Sequence, residues 1–294
     1  MPKAFEFKDV IKNYGDFSLG PLNLALEPGT VLGYIGPNGS GKSTTMHCLV
    51  GLVKADAGEM HVFGRPNDPN KPEWKLDIGY VGDVHVFYEN WSGERNLKFL
   101  RQFYPNWSDA LVADLARRFE IPLNKKAKEL SSGNRVKLSL ISALAHQPKL
   151  LLLDEPTAGL DPVVRTEVLD VLFSVLEDGE RAIFYSTHIL SDISRLADEL
   201  AFIHNGNVVQ RHAKEDLTDL WRKITFQFDG NSLQLDAVVS HKQEGRDHQV
   251  ISSNFEKTLS NLSTLGAENV QENRMSIDEI AVQILKDVKN VANR

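Results

Sequence analysis

The sequence predicts an α/β fold that contains a helical insert and ends in a small α+β appendage. Residues Thr30 to Ile35 form a short apolar run, a glycine-rich loop follows, and Lys42 to Gly51 has helical character. Further along, Leu150 to Asp154 is a strongly apolar run that ends in an acid, and a second acid, Glu155, follows it. Short apolar runs that alternate with helical segments are typical of parallel sheets covered by helices on both faces.

The glycine-rich loop reads GPNGSGKST and has the spacing Gly, four residues, Gly, Lys, Ser or Thr. In such loops backbone N–H groups hold phosphates, the lysine reaches the β- and γ-phosphates, and the hydroxyl binds Mg²⁺. The helix start adds free N–H donors and a positive dipole end. We therefore expect a nucleotide site formed by Gly36, Pro37, Asn38, Gly39, Ser40, Gly41, Lys42, Ser43 and Thr44.

Composition limits the classes of protein that the chain can belong to. With 294 residues, 41% of them hydrophobic, it can form one large domain and a smaller one. The net charge of −7 and the lack of a basic cluster argue against nucleic acid as a partner. The apolar runs are too short to span a bilayer, and the N-terminus has no signal-peptide pattern. The single cysteine, Cys48, fits a reducing compartment such as the cytoplasm.

The N-terminal region is predicted to form paired strands, Phe5 to Tyr14 and Leu19 to Glu27, with the turn at Gly15 and Asp16. Tyr14 then lies near a strand end. An exposed aromatic ring there can stack on a purine, but a half-buried strand tyrosine fits the local pattern as well.

The middle of the chain changes from strands to helices. Strands are predicted at Gly58 to Phe63 and at Leu76 to Val81, and helical spacing follows from Trp91 to His146. Ser108 is suited to cap a helix over Asp109 to Phe119. This region is interpreted as a helical insert.

Ser131 and Gly133 lie at the predicted start of a helix over Arg135 to Ala145. A hydroxyl and free N–H groups at that position either cap the helix or bind a phosphate. The local pattern alone favours capping.

Two acids and a histidine are predicted at one edge of the sheet. Asp154, at the end of its strand, can hold Mg²⁺ beside a phosphate loop, and Glu155 can polarise a water molecule for attack on the γ-phosphate. A strand over Arg181 to Ser186 would deliver Thr187 and His188 to its carboxyl end, where open α/β sheets bind ligands.

Taken together, these motifs resemble the ATP-binding cassette ATPases, the nucleotide-binding subunits of ABC transporters, over about residues 5–210. The resemblance implies a P-loop NTPase core with an antiparallel β subdomain and a helical subdomain at about residues 84–146. The ATPase domain would cover residues 1–212 and a C-terminal accessory domain residues 213–294. ATP and Mg²⁺ are the implied ligands.

The resemblance also implies a role for each motif: adenine stacking for Tyr14, Walker A for Gly36 to Thr44, Walker B for Leu150 to Glu155, the family signature for Ser131 to Asn134, the D-loop for Gly159 to Asp161 and the switch for His188. In this family the signature of one subunit closes over the nucleotide held by another, and Ser131 and Gly133 would meet its γ-phosphate. A dimer, of identical or different subunits, is therefore implied.

Three positions depart from the family pattern. Ser132 and Asn134 replace the third and fifth residues of the usual Leu-Ser-Gly-Gly-Gln signature, and Gly159 alters the D-loop. Asp83 occupies the place of a glutamine that links the nucleotide to the helical insert. Aspartate is shorter, so we expect it to act on the nucleotide and on Mg²⁺ through a bridging water.

The function implied is that of an ATPase subunit that drives a separate membrane permease, with export favoured, from the inner face of the cell membrane. The sequence has neither the two linked cassettes nor the long coiled coils of soluble members that act on ribosomes or DNA. A regulatory ABC ATPase with weak hydrolysis, suggested by Asp83 and the altered signature, is the alternative. An aromatic cluster of Phe87, Tyr88 and Trp91 either contacts the permease or is buried within the insert.

Beyond residue 213 the pattern predicts strands at Lys223 to Phe228 and Gln249 to Ser252. Asn254 is suited to cap a helix whose apolar stripe is Phe255, Leu259, Leu262 and Leu265. Ser276 to Glu279 has capping-box spacing before a second stripe of Ile280, Ile284 and Val288. The stripes form either the core of the appendage or a partner-binding face.

Overall fold

The computed structural model describes residues 2–176, 179–230 and 233–292. Contacts between residues divide the chain into two units, one of Met1–Ala197 with Ile203–Val208 and one of Asp198–Phe202 with Val209–Arg294. Strands β1 to β8 of the first unit are β1 (Phe5–Tyr14), β2 (Phe17–Leu26), β3 (Val31–Ile35), β4 (Ala57–Val62), β5 (Arg65–Pro66), β6 (Ile78–Val81), β7 (Leu150–Asp154) and β8 (Ala182–Thr187). Its helices are α1 (Lys42–Leu49), α2 (Gly93–Leu100), α3 (Asp109–Arg118), α4 (Ser132–Leu144), α5 (Pro162–Leu176) and α6 (Leu190–Leu196).

The core of the first unit contains a parallel sheet in which β3, β8, β7 and β6 are neighbours in that order. Every residue of β3, β7 and β8 is buried, as expected for strands covered on both faces. Ile35 pairs with Thr187, and Asp154 pairs with Ser186. The carboxyl ends of these three strands therefore lie side by side at one edge.

An antiparallel sheet of the order β2-β1-β4-β5 forms a second layer of elements in this unit. Phe5 pairs with both Leu26 and Val62, and the chain turns between β1 and β2 at Gly15 and Asp16, as predicted. The buried rings of Phe5 and Phe184 lie 4.9 Å apart, so this sheet packs on the parallel one.

Serine side chains begin the three helices of the predicted insert. The Oγ atoms of Ser92, Ser108 and Ser131 accept hydrogen bonds from backbone N–H groups three residues later, at 3.2, 3.1 and 3.3 Å. The helical prediction for this region is confirmed. The strand predicted from Leu76 is partly wrong, because Pro72–Asp77 forms a 3₁₀ helix and the strand begins at Ile78.

Strands β9 (Glu199–His204) and β10 (Asn207–Ala213) contain the division between the two units. The second unit also has strands β11 (Arg222–Gln227), β12 (Val238–Glu244), β13 (Asp247–Ser252) and β14 (Glu268–Arg274) and helices α7 (Lys214–Leu220), α8 (Phe255–Leu265) and α9 (Ile277–Ala292). An antiparallel sheet of the order β12-β13-β11-β14 carries an apolar core of Ile224, Phe226, Val250 and Leu262.

Three residues of the apolar stripe predicted for α8 belong to the core of the second unit, whereas the fourth, Leu265, is not part of that core. Phe255 and Leu259 pack against that core, and the Asn254 side chain caps the helix by accepting from Lys257 N at 3.2 Å. The capping box before α9 is confirmed, since Ser276 N donates to Glu279 Oε2 at 2.8 Å and Glu279 N to Ser276 Oγ at 3.2 Å. Helix α9 buries Ile280 and Ile284, whereas the side chain predicted at Val288 lies outside the described part of the chain.

Within residues 2–176, 179–230 and 233–292, no helix combines the length and the apolar character needed to cross a membrane.

Candidate nucleotide-binding site

The phosphate loop joins the buried strand β3 to the helix α1, and its glycines are required by its shape. Gly39 and Gly41 have φ angles of 77° and 110°, in the left-handed region that favours glycine. A Cβ atom at Gly36 would lie 2.5 Å from the backbone oxygen of Ile203. The loop is therefore tightly enclosed at its first glycine.

Lys42 lies inside this loop. Its Nζ donates to the backbone oxygens of Gly36 at 2.8 Å and Pro37 at 3.3 Å, and its side chain is only 6% exposed. Nζ is also 3.2 Å from Glu155 Oε1, an ion pair that lacks hydrogen-bond geometry. A buried ammonium that faces the loop is placed to contact phosphate oxygens.

Three hydrogen bonds to backbone oxygens of the loop hold it in place. Ser40 N donates to Pro37 O at 3.2 Å, Thr45 Oγ1 donates to Gly41 O at 2.9 Å, and Gly206 N donates to Ser40 O at 2.9 Å. These hydrogen bonds fix the conformation of the loop.

Asp154 ends β7 and is fully buried. Its Oδ1 accepts a hydrogen bond from the Ser186 hydroxyl, and its Oδ2 has no hydrogen-bond partner among the residues that the structure describes. A buried carboxylate oxygen without a partner is costly unless a ligand satisfies it. Since Mg²⁺ takes oxygen ligands, the carboxylate of Asp154 and the half-buried hydroxyl of Ser43 on α1 fit this ion.

Glu155 follows Asp154 in the chain, and its side chain contacts His188. Glu155 has a φ angle of 51° and its amide donates to the Ser186 backbone oxygen at 3.1 Å, so the turn after β7 is fastened to β8. Its Oε2 lies 2.8 Å from His188 Nδ1 and accepts from His188 N at 3.3 Å. Lys42, Glu155 and His188 therefore form a continuous line of side chains.

Tyr14 and Asp161 lie in exposed positions. The Tyr14 ring is 45% exposed at the end of β1, with Lys12 Nζ 5.4 Å from its centroid. An exposed ring there is available for stacking. Asp161 Oδ1 accepts from the amides of Val163 and Val164 at 3.0 and 3.1 Å, so its carboxylate caps α5.

Ser131 caps α4 through its bond from Asn134 N, which confirms the interpretation that the local pattern favoured. Gly133 is buried, and a Cβ atom there would lie 3.0 Å from Val164 Cγ1. Among the described residues, no hydrogen bond or ion pair joins Ser131 or Gly133 to Lys42 or Glu155. The phosphate loop and Glu155 thus contact each other within one chain, whereas the signature residues Ser131 and Gly133 make no such bond to Lys42 or Glu155 among the described residues.

Asp83 follows β6 with an exposed side chain. No hydrogen bond or ion pair of Asp83 occurs in the part of the chain that the structure describes. Burial raises the pKa of the nearby Tyr80 hydroxyl, and the charges of Asp154 and Asp83 raise that pKa further.

Sequence reasoning missed Ser186, which touches both Asp154 and Glu155. It is buried near the end of β8 and bonds Asp154 Oδ1 as well as the Glu155 amide. The available signal was a hydroxyl within an otherwise apolar strand that leads to His188.

Known proteins of similar sequence identify the family of this chain. Residues 19–158 match the model of the family described as "ABC transporter". The bacitracin transport ATP-binding protein BcrA of Bacillus licheniformis is 32% identical over 295 residues, which cover 98% of this chain and 95% of that protein. The chain belongs to the ABC transporter family.

Other relatives of this ABC subunit agree. The Nod factor export ATP-binding protein I of Rhizobium etli is 34% identical and covers 74% of this chain and 70% of that protein. A solved ATP-binding subunit of an ABC transporter has a TM-score of 0.67 and 27% identity, covering 74% of this chain and 92% of that one. The predicted family and the P-loop NTPase fold are confirmed, and the chain is an ATP-binding, ATP-hydrolysing subunit of an ABC transporter.

Proposed function

We propose that this ABC subunit hydrolyses ATP at a site shared by two chains and so drives a separate membrane permease in export. One observation supports the proposed hydrolysis most strongly: Glu155 contacts both Lys42 of the phosphate loop and His188, and the preceding Asp154 has a buried oxygen without a hydrogen-bond partner among the described residues. Positioning and charge neutralisation are what phosphoryl transfer requires of a protein.

In this proposal each side chain has one task. The loop amides and Lys42 hold the phosphates. Glu155 accepts a proton from the attacking water, and His188 fixes the Glu155 carboxylate through its 2.8 Å contact. Ser43 and Asp154 would hold Mg²⁺, which would neutralise charge on the phosphates.

Two further residues act at the edges of the site. We assign Tyr14 to the adenine ring, because the ring is 45% exposed at the end of β1. Asp83 would act on the metal ion through a bridging water and so connect the nucleotide to the helical insert.

The remaining contacts to the γ-phosphate come from a second chain. Ser131 and Gly133 begin α4, a helix of 13 residues, whose N-terminus suits an anion. Since these residues make no bond to Lys42 or Glu155 within the described chain, we propose that they act on the site of a partner subunit. Asp161 would lie at the same interface.

A groove between the helical insert and the rest of the first unit is proposed as the permease-binding surface. It has a volume of about 340 Å³ and is lined in part by Val84, Val86 and Phe87. Val84 is 71% exposed and Val86 is 86% exposed. Tyr88 and Trp91 stack at 4.3 Å beside it, with Tyr88 half exposed. Apolar groups left exposed in this way are favoured at interface cores.

The relatives are described as transporting bacitracin and exporting Nod factor, which supports export as the direction for this chain. The proposed location is the inner face of the cell membrane. The permease would determine which substrate is transported.

The test measures ATP hydrolysis by this chain, alone and with candidate permease subunits, together with co-purification with those subunits. We expect Val86→Asp to weaken co-purification and abolish permease-stimulated hydrolysis without changing ATP affinity. Val270→Asp is the matched control, because Val270 is also exposed but lies on β14 of the second unit. Equal co-purification of the two variants would refute the groove. Equal rates with and without the permease would instead favour the regulatory alternative.

A further inference from the structure

A buried polar cluster lies behind the line formed by Lys42, Glu155 and His188. Its centre is Asp192 on α6, which is fully buried. Asp192 Oδ1 accepts from Arg165 Nε at 2.5 Å, and its Oδ2 accepts from the Thr157 hydroxyl and from Tyr185 OH at 3.1 Å. The Thr157 and Tyr185 hydroxyls are also 3.1 Å apart.

Both oxygens of this carboxylate are satisfied, which is what a buried charge requires. Burial and the Asp192 charge raise the pKa of the Tyr185 hydroxyl well above its usual value. The phenol therefore keeps its proton and donates to Asp192. Arg165, whose side chain is 26% exposed, supplies the compensating charge.

The cluster joins the segments that carry the proposed base and the proposed switch. Thr157 lies two residues after Glu155 in a turn closed by the Ala158 N to Glu155 O bond of 3.1 Å. Asp192 lies four residues after His188, and its amide donates to Ile189 O at 3.3 Å. A single carboxylate therefore fixes both the turn after β7 and the start of α6.

The same carboxylate also reaches the helix that follows the D-loop. Arg165 is in the first turn of α5, and its amide donates to Asp161 O at 3.0 Å. Four segments that are separate in sequence thus meet at Asp192: the turn after β7, α5, β8 and α6.

We propose that Asp192 is a positioning residue for ATP hydrolysis, which holds the Glu155 carboxylate and the His188 imidazole at their working separation. The inference rests on the roles proposed for Glu155 and His188. Asp192 does not face the phosphate loop; it acts through Thr157 and through the start of α6.

The primary variant is Asp192→Asn, with Asp170→Asn as its matched control. Asp170 pairs with Arg195 at 3.7 Å, so it also joins α5 to α6, but its side chain is 59% exposed. We expect Asp192→Asn to lower kcat by on the order of ten- to a hundredfold, the cost of misplacing a reacting group by up to about 1 Å. ATP affinity by calorimetry stays unchanged, and Asp170→Asn retains parent kcat.

Two variants of Thr157 test the proposal even if Asp192→Asn does not fold. Thr157→Val removes one hydroxyl and leaves the ion pair between Asp192 and Arg165 intact, whereas Thr157→Ser keeps the hydroxyl. We expect the valine variant to have a lowered kcat and the serine variant to be restored to near the parent. Equal kcat for the two would overturn the positioning role.

A double-mutant cycle separates this inference from the proposed function. Since Asp192 is proposed to act on the Glu155 carboxylate, which His188 also fixes, the double variant Asp192→Asn with Glu155→Gln is no slower than Glu155→Gln alone. Independent, multiplying losses would overturn the inference, and so would a slow Glu155→Gln beside a parent-like Asp192→Asn. A parent-like Glu155→Gln would refute the proposed role of Glu155 itself, and the inference with it.

Discussion

Replacing Gly36 by alanine tests whether the enclosed shape of the phosphate loop is needed for catalysis. The added Cβ would lie 2.5 Å from Ile203 O and 2.6 Å from Ser40 Oγ, about 1 Å short of ordinary van der Waals contact. The loop therefore has to shift by about that distance. Overpacking of this kind costs about 1–3 kcal/mol of folding free energy.

A shift of about 1 Å in the loop also moves Lys42, whose Nζ donates to Gly36 O. Misplacement by that distance lowers a reaction rate by about a hundredfold. We expect Gly36→Ala to lower both ATP affinity in calorimetry and the rate of phosphate release. Gly245→Ala is the control for crowding, because no heavy atom lies within 4 Å of its added Cβ, so a loss there comes from its positive φ of 64° and not from a close contact. Parent-like affinity and rate in Gly36→Ala would refute the reasoning.

The remaining predictions concern the lysine and Asp83. Lys42→Ala should abolish tight binding of Mg-ATP, because it removes the ammonium that lies inside the loop; calorimetry that finds unchanged affinity would contradict the phosphate assignment. Asp83→Ala should reduce permease-stimulated hydrolysis far more than ATP binding, and Asp83→Asn should retain part of the stimulation. If parent, alanine and asparagine proteins are stimulated equally in a phosphate-release assay, Asp83 has no part in coupling.

The parallel sheet was predictable because its strands are apolar on both faces. Leu150–Asp154 has the bounds that the sequence predicted, since a buried parallel strand leaves no polar residue except at its end. Strand β14 could not be predicted in this way. All seven residues of Glu268–Arg274 are exposed, and the strand forms through pairing with β11 rather than through burial.

The candidate site also has residues that the sequence predicts and residues that it does not. Lys42, Asp154, Glu155 and His188 were predictable because the carboxyl ends of parallel strands meet at one edge. Asp192 was not, since its partners come from segments that only the folded chain brings together. The roles of Asp83, Ser131 and Gly133 stay predictions, because they depend on ligands and on a second chain.

The rate of phosphate release by Glu155→Gln at saturating Mg-ATP tests the central claim most directly. Glutamine keeps the size of the side chain and can still contact His188, but it cannot accept the proton from water. The account predicts a fall of about 10²- to 10⁴-fold in this rate, the range expected for losing a general base, while ATP still binds. A rate equal to that of the parent protein would contradict the assignment of Glu155 as the base.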